Sequence, residues 1–212
     1  MKKILAVAVL ALSLGFLNSN VDESFYFLGM IAKRQNKLSQ AEYYFNRITD
    51  GDRFLSAQVE LATLRIKDKR DVQMRQQFND SRQQHPEIAN TLYAVEAEIL
   101  RDNQQLDEAY AVLADAINKY PQDNLLLFNR ALLAERRNNF MQFELDMKEL
   151  LTRDGQIPSY LNAYGYTLAD KTDRLEEAER YLREALKYKP NDPAIIDSMG
   201  WLLYKKGLFF DA

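Results

Sequence analysis

The segments Leu161-Asn-Ala-Tyr-Gly165-Tyr-Thr-Leu168 and Ile196-Asp-Ser-Met-Gly200-Trp-Leu-Leu203 are two versions of one pattern, and their glycines lie 35 positions apart. Each sets an apolar residue, then a large residue beside Gly, then Leu three places on. The first is followed by Ala178-x-x-x-Leu182, Ala185 and Pro190. Self-similarity at a period of about 34 residues, with apolar residues at helical spacing on both sides of a short turn, marks tandem antiparallel helical hairpins. A hairpin of this length does not fold alone, because one apolar face stays bare until a neighbour stacks on it. The chain is therefore read as an array in which each hairpin completes the next.

The pattern runs back to about Asp22. The first unit has Phe25, Leu28, Gly29 and Ala32 on one helix, a turn at Asn36, and Ala41 and Phe45 on the second helix; Gly51 is expected to end that helix as a left-handed residue. In the second, Leu61, Ala62 and Leu64 precede a polar turn from Asp68 to Asp71, then Met74, Phe78 and Pro86. The third gives Tyr93, Ala97, Leu100, Ala109, Leu113, Ala116 and Pro121, with Glu96 where a large apolar residue is usual. The fourth is degenerate, with Leu127, Ala131, Ala134, Phe140, Phe143, Met147 and Leu150, and the fifth, Pro158 to Asp192, has one extra residue in its Lys171–Arg174 turn. Gly29, Ala97, Ala131, Gly165 and Gly200 are placed where paired helices come closest, with Ala41, Ala109 and Ala178 opposite. Pro121 and Pro190 block helix continuation, and Pro193 suits a first turn. A plain bundle would show the helical period without this recurrence. The sixth unit reaches Ala212 at the first anchoring position of its second helix, which leaves Leu202, Leu203, Phe209 and Phe210 without local cover. That predicts a truncated chain, or an end completed by another molecule, including self-association through this last unit.

The 212 residues are 47% hydrophobic and 28% charged, enough for one folded unit. Met1-Lys-Lys3 followed by the apolar run Ile4 to Leu17 matches a secretory signal over residues 1–20 and is short for a membrane span. The alternative is a remnant second helix of an earlier repeat, since Ala11-Leu-Ser-Leu-Gly15 resembles such a helix end. Beyond residue 20 the chain holds 26 basic against 31 acidic residues and no Lys/Arg stripe, which argues against nucleic acid as a partner. With no cysteine there is no disulfide, thiolate metal site, cysteine nucleophile or lipid-modified cysteine.

Little here points to chemistry. The one histidine, His85, precedes a proline at a helix junction and reads as a loop residue. There is no phosphate-cradling glycine loop, no Gly-x-Ser-x-Gly and no His-Glu-x-x-His. Acid pairs Asp107-Glu108 and Glu176-Glu177 stand at helix starts, where they complement the dipole, and Arg136-Arg137 reads as exposed surface. No catalytic residue, cofactor or metal site is expected.

Asn162-Ala-Tyr-Gly-Tyr-Thr-Leu-Ala-Asp170, Arg174-Leu-Glu-Glu-Ala178 and Pro193-Ala-Ile-Ile-Asp-Ser-Met-Gly-Trp201-Leu-Leu-Tyr204 resemble the tetratricopeptide-repeat (TPR) lipoproteins of Gram-negative outer membranes. The match is specific over Leu161–Tyr204 and looser back to Asp22; the lipidated cysteine of that family is absent. The resemblance implies an all-α, right-handed TPR superhelix, an α-solenoid of about five full helix-turn-helix repeats and a truncated sixth over residues 21–212. It implies a periplasmic adaptor that holds partner proteins, in some cases processing proteases or their substrates, with outer-membrane association left open by the missing cysteine. On the TPR pattern Asn162, Tyr166, Asp197, Trp201, Tyr204 and Lys205 fall on the inner, concave wall near the C-terminal end. Tyr26, Met30, Arg101 and Phe128 stand further back, and Tyr26 and Phe128 suit core packing equally. The clamp that grips a C-terminal carboxylate in co-chaperones is not assembled, because its positions carry Tyr26, Met30, Val59, Thr63 and Phe128. Aromatic residues with a few polar groups suit a protein or peptide partner. The sequence thus reads as a non-enzymatic envelope scaffold, the rival being a structural part of an envelope assembly such as a pilus or secretion machine.

Overall fold

Except at the end of the second helix, the helices follow the apolar spacing and the turn residues. The structure, a computed structural model, describes residues 21–208, so the signal-like segment and Phe209 and Phe210 lie outside it. Among the described residues there are eleven α-helices and no strand. Residues 21–34 form α1, followed by α2 (Leu38–Phe45), α3 (Phe54–Lys67), α4 (Asp71–Gln84) and a 3-10 turn at Pro86–Ile88. Then come α5 (Ala89–Asp102), α6 (Leu106–Lys119), α7 (Asn124–Arg136), α8 (Phe140–Arg153), α9 (Pro158–Lys171), α10 (Leu175–Tyr188) and α11 (Pro193–Lys205). The odd-numbered helices from α3 onward start at Phe54, Ala89, Asn124, Pro158 and Pro193, 34 or 35 residues apart.

The chain divides into two compact units between Asn103 and Gln104. In the first, α3 packs against α2, α4 and α5. Ala41, Phe45, Ala57, Leu61 and Leu64 form a buried cluster, with Tyr26 and Met30 half-buried against it. In the second, α9 packs against α8, α10, α11 and α7. Its core joins Ala131, Phe143, Met147, Tyr164, Leu168, Ala178, Leu182 and Leu202, and Phe128 lies against it with its ring 4.9 Å from that of Tyr160. Tyr26 and Phe128 are therefore packing residues. The degenerate fourth hairpin is built like the others, since Leu127, Ala131, Ala134, Phe143, Met147 and Leu150 are all buried.

Small residues set how closely the helices of a hairpin approach. Ala41, Ala109, Ala131 and Ala178 have no exposed surface, and Ala97 has almost none. A Cβ on Gly165 would stand 2.8 Å from Leu182 Cγ and 3.1 Å from the Ala178 carbonyl oxygen, and one on Gly29 would meet the Phe45 ring at 2.5 Å. Gly200 is half-buried on α11.

The turn inside most hairpins uses one left-handed residue, at Asn36, Lys69, Gln104, Asn138 and Gly207. Only Asn and Gly advertise such a conformation. Lys69 adopts it because the closure is set by the backbone, and Gln104 takes the same conformation with φ 64°. Arg70 N–H donates to the Arg65 carbonyl (2.8 Å), as Lys37 does to Ala32, Asn139 to Ala134 and Leu208 to Leu203. These bonds satisfy carbonyls that the helix end leaves open. The fifth hairpin is the exception that its extra residue predicts. Thr172 is extended, with φ −142°, and its hydroxyl donates to the Leu168 carbonyl (2.6 Å) and accepts from Arg174 N–H (3.1 Å).

Two expectations need correction. Gly51 is left-handed (φ 76°) but does not end α2, which stops at Phe45; it shapes the loop into α3, where its carbonyl accepts from Phe54 N–H. Leu28 is exposed rather than in the core. His85 stands at the junction between α4 and the 3-10 turn, as its place before Pro86 predicts, and its side chain is engaged there: its Nε2 lies 2.8 Å from the Thr49 carbonyl oxygen and its ring 4.1 Å from that of Phe54.

The Gly165 crossing gives a direct test. Gly165→Val gains helix propensity but drives a branched side chain into Leu182 and the Ala178 backbone, and overpacking of this kind costs about 1–3 kcal/mol. Thermal unfolding should shift downward; a melting temperature equal to or above that of the parent would show that the crossing is looser than described.

Candidate functional site

Residues one and two helical turns apart share a helix face, so Asp197, Trp201 and Tyr204 on α11 point together. The neighbouring α9 adds Tyr166 to the same side. With Ile196 and Gly200, these residues line an open pocket of about 580 Å³. The Trp201 and Tyr204 rings stack at 5.5 Å between centroids with 20° between planes. Tyr166, Trp201 and Tyr204 keep 38%, 36% and 53% of their surface exposed, which is high for such large rings outside a contact. Exposed aromatic clusters of this kind mark interaction sites.

Both helices are fixed from behind. Tyr164, two residues before Tyr166, points the opposite way into the core and is fully buried, with its ring 4.9 Å from that of Tyr181. Its hydroxyl donates to Glu144 Oε1 (3.0 Å), which also accepts from Arg174 Nη1 (2.7 Å) and pairs with Lys148 Nζ (2.9 Å). Hydrogen bonding from Lys148, reinforced by Arg174 and Tyr164, pulls the Glu144 carboxyl down to about 2. Burial, with the Glu144 carboxylate beside it, pushes the Tyr164 phenol up, so it stays a donor. At the end of α11, Lys206 pairs with Glu179 and with Glu176 (2.8 Å), tying that helix to α10. Hydrogen bonds from Lys206 and Arg183 hold the Glu179 carboxyl below its usual range.

Of the residues singled out in the sequence, Tyr166, Asp197, Trp201 and Tyr204 are brought together. Lys205 is exposed beside them, with Nζ 5.8 Å from the Trp201 ring centroid. Asn162 lies one turn before Tyr166 on α9; it is half-buried, and its Oδ1 is covered without a hydrogen-bond partner among the described residues. Arg101 belongs to the other unit, where Glu98 (3.1 Å) and Asp102 (2.9 Å) engage it. Sequence reasoning did not single out Ile196 as a lining residue. Nor did it notice the charges beside Tyr166: Lys171 Nζ lies 2.9 Å from Asp170 and 3.7 Å from Glu135. The signal for Asp170 was available, since it lies one turn beyond Tyr166 on the same face.

Sequence patterning also gave no hint of the polar pairs inside the array. Glu96, flagged as out of place, is buried against Arg82 (2.5 Å), whose guanidinium covers the Tyr93 ring at 4.0 Å. Burial pushes the Glu96 carboxyl up and Arg82 opposes that shift. Asp146 is buried and accepts from Arg130 Nε (2.9 Å) and Nη2 (2.7 Å) and from Gln142 Nε2 (2.8 Å). Gln77 donates to Gln58 Oε1 (2.7 Å), which also accepts from the Ser81 hydroxyl (3.1 Å). All of these groups are engaged in joining helices. Among the described residues no group of three or more His, Cys, Asp or Glu could hold a metal ion, and no helix is long and apolar enough to cross a membrane.

Repeated hairpins with small-residue crossings, contacts of α3 with α5 and of α9 with α7 and α11, and a turn shared by most hairpins define a helical-repeat protein. Comparison with known proteins gives the type. The tetratricopeptide repeat family model matches residues 158–192. The TPR repeat-containing protein PA4667 of Pseudomonas aeruginosa is 37% identical over 192 residues, covering 91% of this chain. The chain spans about a third of that relative's length (32%). A thermophilic TPR protein of Thermus thermophilus, TTC0263, superposes with a TM-score of 0.56 at 20% identity, covering 86% of this chain and 99% of its own. YrrB, described as a TPR protein with an unusual peptide-binding site, has a TM-score of 0.54 at 15% identity, covering 82% and 90%. The chain is a tetratricopeptide-repeat protein. Such repeats serve as protein–protein interaction scaffolds that bind proteins or peptides and are generally non-catalytic.

The Glu144 cluster predicts acid sensitivity. Its carboxyl titrates lower in the folded than in the unfolded chain, so its contribution is present above about pH 4.5 and lost as pH falls toward 2. Glu144→Gln should lower stability at neutral pH and flatten that acid limb in pH-dependent denaturant melts. Parallel curves for the two proteins would contradict the assignment.

Proposed function

We propose that this chain is a non-enzymatic adaptor of the bacterial envelope that captures a protein or peptide segment on the exposed face shared by α9 and α11. Trp201 and Tyr204 form the contact platform, Tyr166 and Asp197 flank it, and Asn162 and Lys205 stand at its borders. The observation that carries this reading is the stacked, solvent-exposed Trp201–Tyr204 pair on a face braced from behind by Tyr164 and Lys206. Rigid aromatic side chains give large contact area at low entropic cost and dominate interface energetics. Lys2-Lys3 with the apolar run after them supports export to the periplasm, and the resemblance to outer-membrane TPR lipoproteins supports delivery of partners to a processing protease there.

Trp201→Ala is the test. The immobilised parent chain should retain a protein from periplasmic extract. The variant should lose about 2 kcal/mol of binding, roughly thirtyfold in affinity, with helical signal and melting unchanged. Capture only from cytoplasmic extract would contradict the location. Undiminished capture, or loss of the fold, would contradict the platform.

A further inference from the structure

We propose that the pocket beside Trp201 takes the guanidinium of an arginine side chain from the bound peptide. This rests on the peptide-binding reading above and narrows it to one chemistry. The lining carries three aromatic rings and one carboxylate, from Tyr166, Trp201, Tyr204 and Asp197, with Ile196 and Gly200 completing the wall. Aromatic faces attract cations through their quadrupole, most strongly for Trp. Lys205 Nζ, 5.8 Å from the Trp201 centroid, already lies within range of that attraction.

The geometry selects the cation. Trp201 and Tyr204 are stacked within 20° of parallel, so a planar guanidinium can lie against an exposed ring face and extend the stack, whereas an ammonium is a compact point charge with no plane to match. Asp197 is exposed at the pocket, where its carboxylate can accept two parallel N–H bonds from the guanidinium fork.

The surrounding field has the matching sign. Asp170, Glu135 and Asp197 all act on Tyr166, and after burial their charge raises its phenol, with Lys171 opposing. That Lys171 is already shared between Asp170 and Glu135. Even with Lys205 counted, three carboxylates face two ammonium groups. A peptide carboxylate would meet this repulsion. A purely apolar side chain would cover Asp197 and give it no partner, and a buried acceptor left unpaired opposes binding.

Trp201 is the only tryptophan of the chain, so its emission reports on this pocket alone. The full chain is titrated with acetyl-Ala-Ala-Arg-Ala-Ala-amide and with the same peptide carrying citrulline or leucine in place of arginine. The arginine peptide should shift Trp201 emission saturably at a concentration at least about tenfold below the citrulline peptide, which keeps the shape and loses the charge. Asp197→Asn, a surface substitution, should erase that preference while helical signal and melting stay unchanged. Equal response to the citrulline or leucine peptide overturns the arginine assignment and leaves the peptide-binding reading standing. An arginine preference undiminished in Asp197→Asn overturns the role of the carboxylate. No saturable change with any of the peptides overturns both.

Discussion

The close crossing of the two helices within each hairpin is the contact from which the rest of the structure follows. At Gly165 the distance to Leu182 and to the Ala178 backbone leaves no room for a side chain, and Ala41, Ala109 and Ala131 are sealed at corresponding crossings. Backbones that come this near let large neighbours interlock around the crossing, as Tyr164, Leu168 and Leu182 do in the second unit. The hairpin is then a wedge with one apolar side left over, and the next hairpin covers it. The side of α9 and α11 that neither partner needs keeps its aromatic residues at the surface. The candidate site exists because packing uses the other sides of these helices.

Much of this was legible in the residue order, because helical period and repeat period are set by backbone geometry that any sequence must satisfy. Eight of the small residues named from spacing fall on helix faces that the fold buries or half-buries, and Pro158 and Pro193 open their helices. The misses share a cause. Gly51 was assigned to a helix end by residue type, but α2 is only eight residues long and its loop is correspondingly extended. Lys69 and Gln104 gave no sign of a left-handed backbone by residue type; at Lys69 the 6→1 hydrogen bond from Arg70 to Arg65 imposes that conformation on whatever residue stands there. The platform of Trp201, Tyr204, Tyr166 and Asp197 was readable because it requires only face-sharing at three- and four-residue spacing. Asp170 was readable in the same way, one turn beyond Tyr166, but the approach of Glu135 was not, since it comes from a helix two elements away.

Ionic and polar pairs inside the units add a second layer. Arg130 with Asp146, Arg82 with Glu96 and the Gln58–Gln77–Ser81 set each join helices through directional bonds. Apolar faces alone tolerate sliding, and hydrogen bonds with fixed donors and acceptors do not. Buried ion pairs of this type contribute little net stability, since desolvation offsets the attraction, but breaking one side is costly. Their role here fits the fixing of register between the helices that each pair joins.

The central claim is that Trp201 belongs to the surface and serves recognition, with the core complete without it. Because the chain has one tryptophan, fluorescence quenching of the folded protein by acrylamide reads that claim directly. The account predicts emission toward the long-wavelength, water-exposed end and efficient quenching that falls when a peptide occupies the pocket. Short-wavelength emission with strong protection from acrylamide in the free protein would place Trp201 in the core and contradict it.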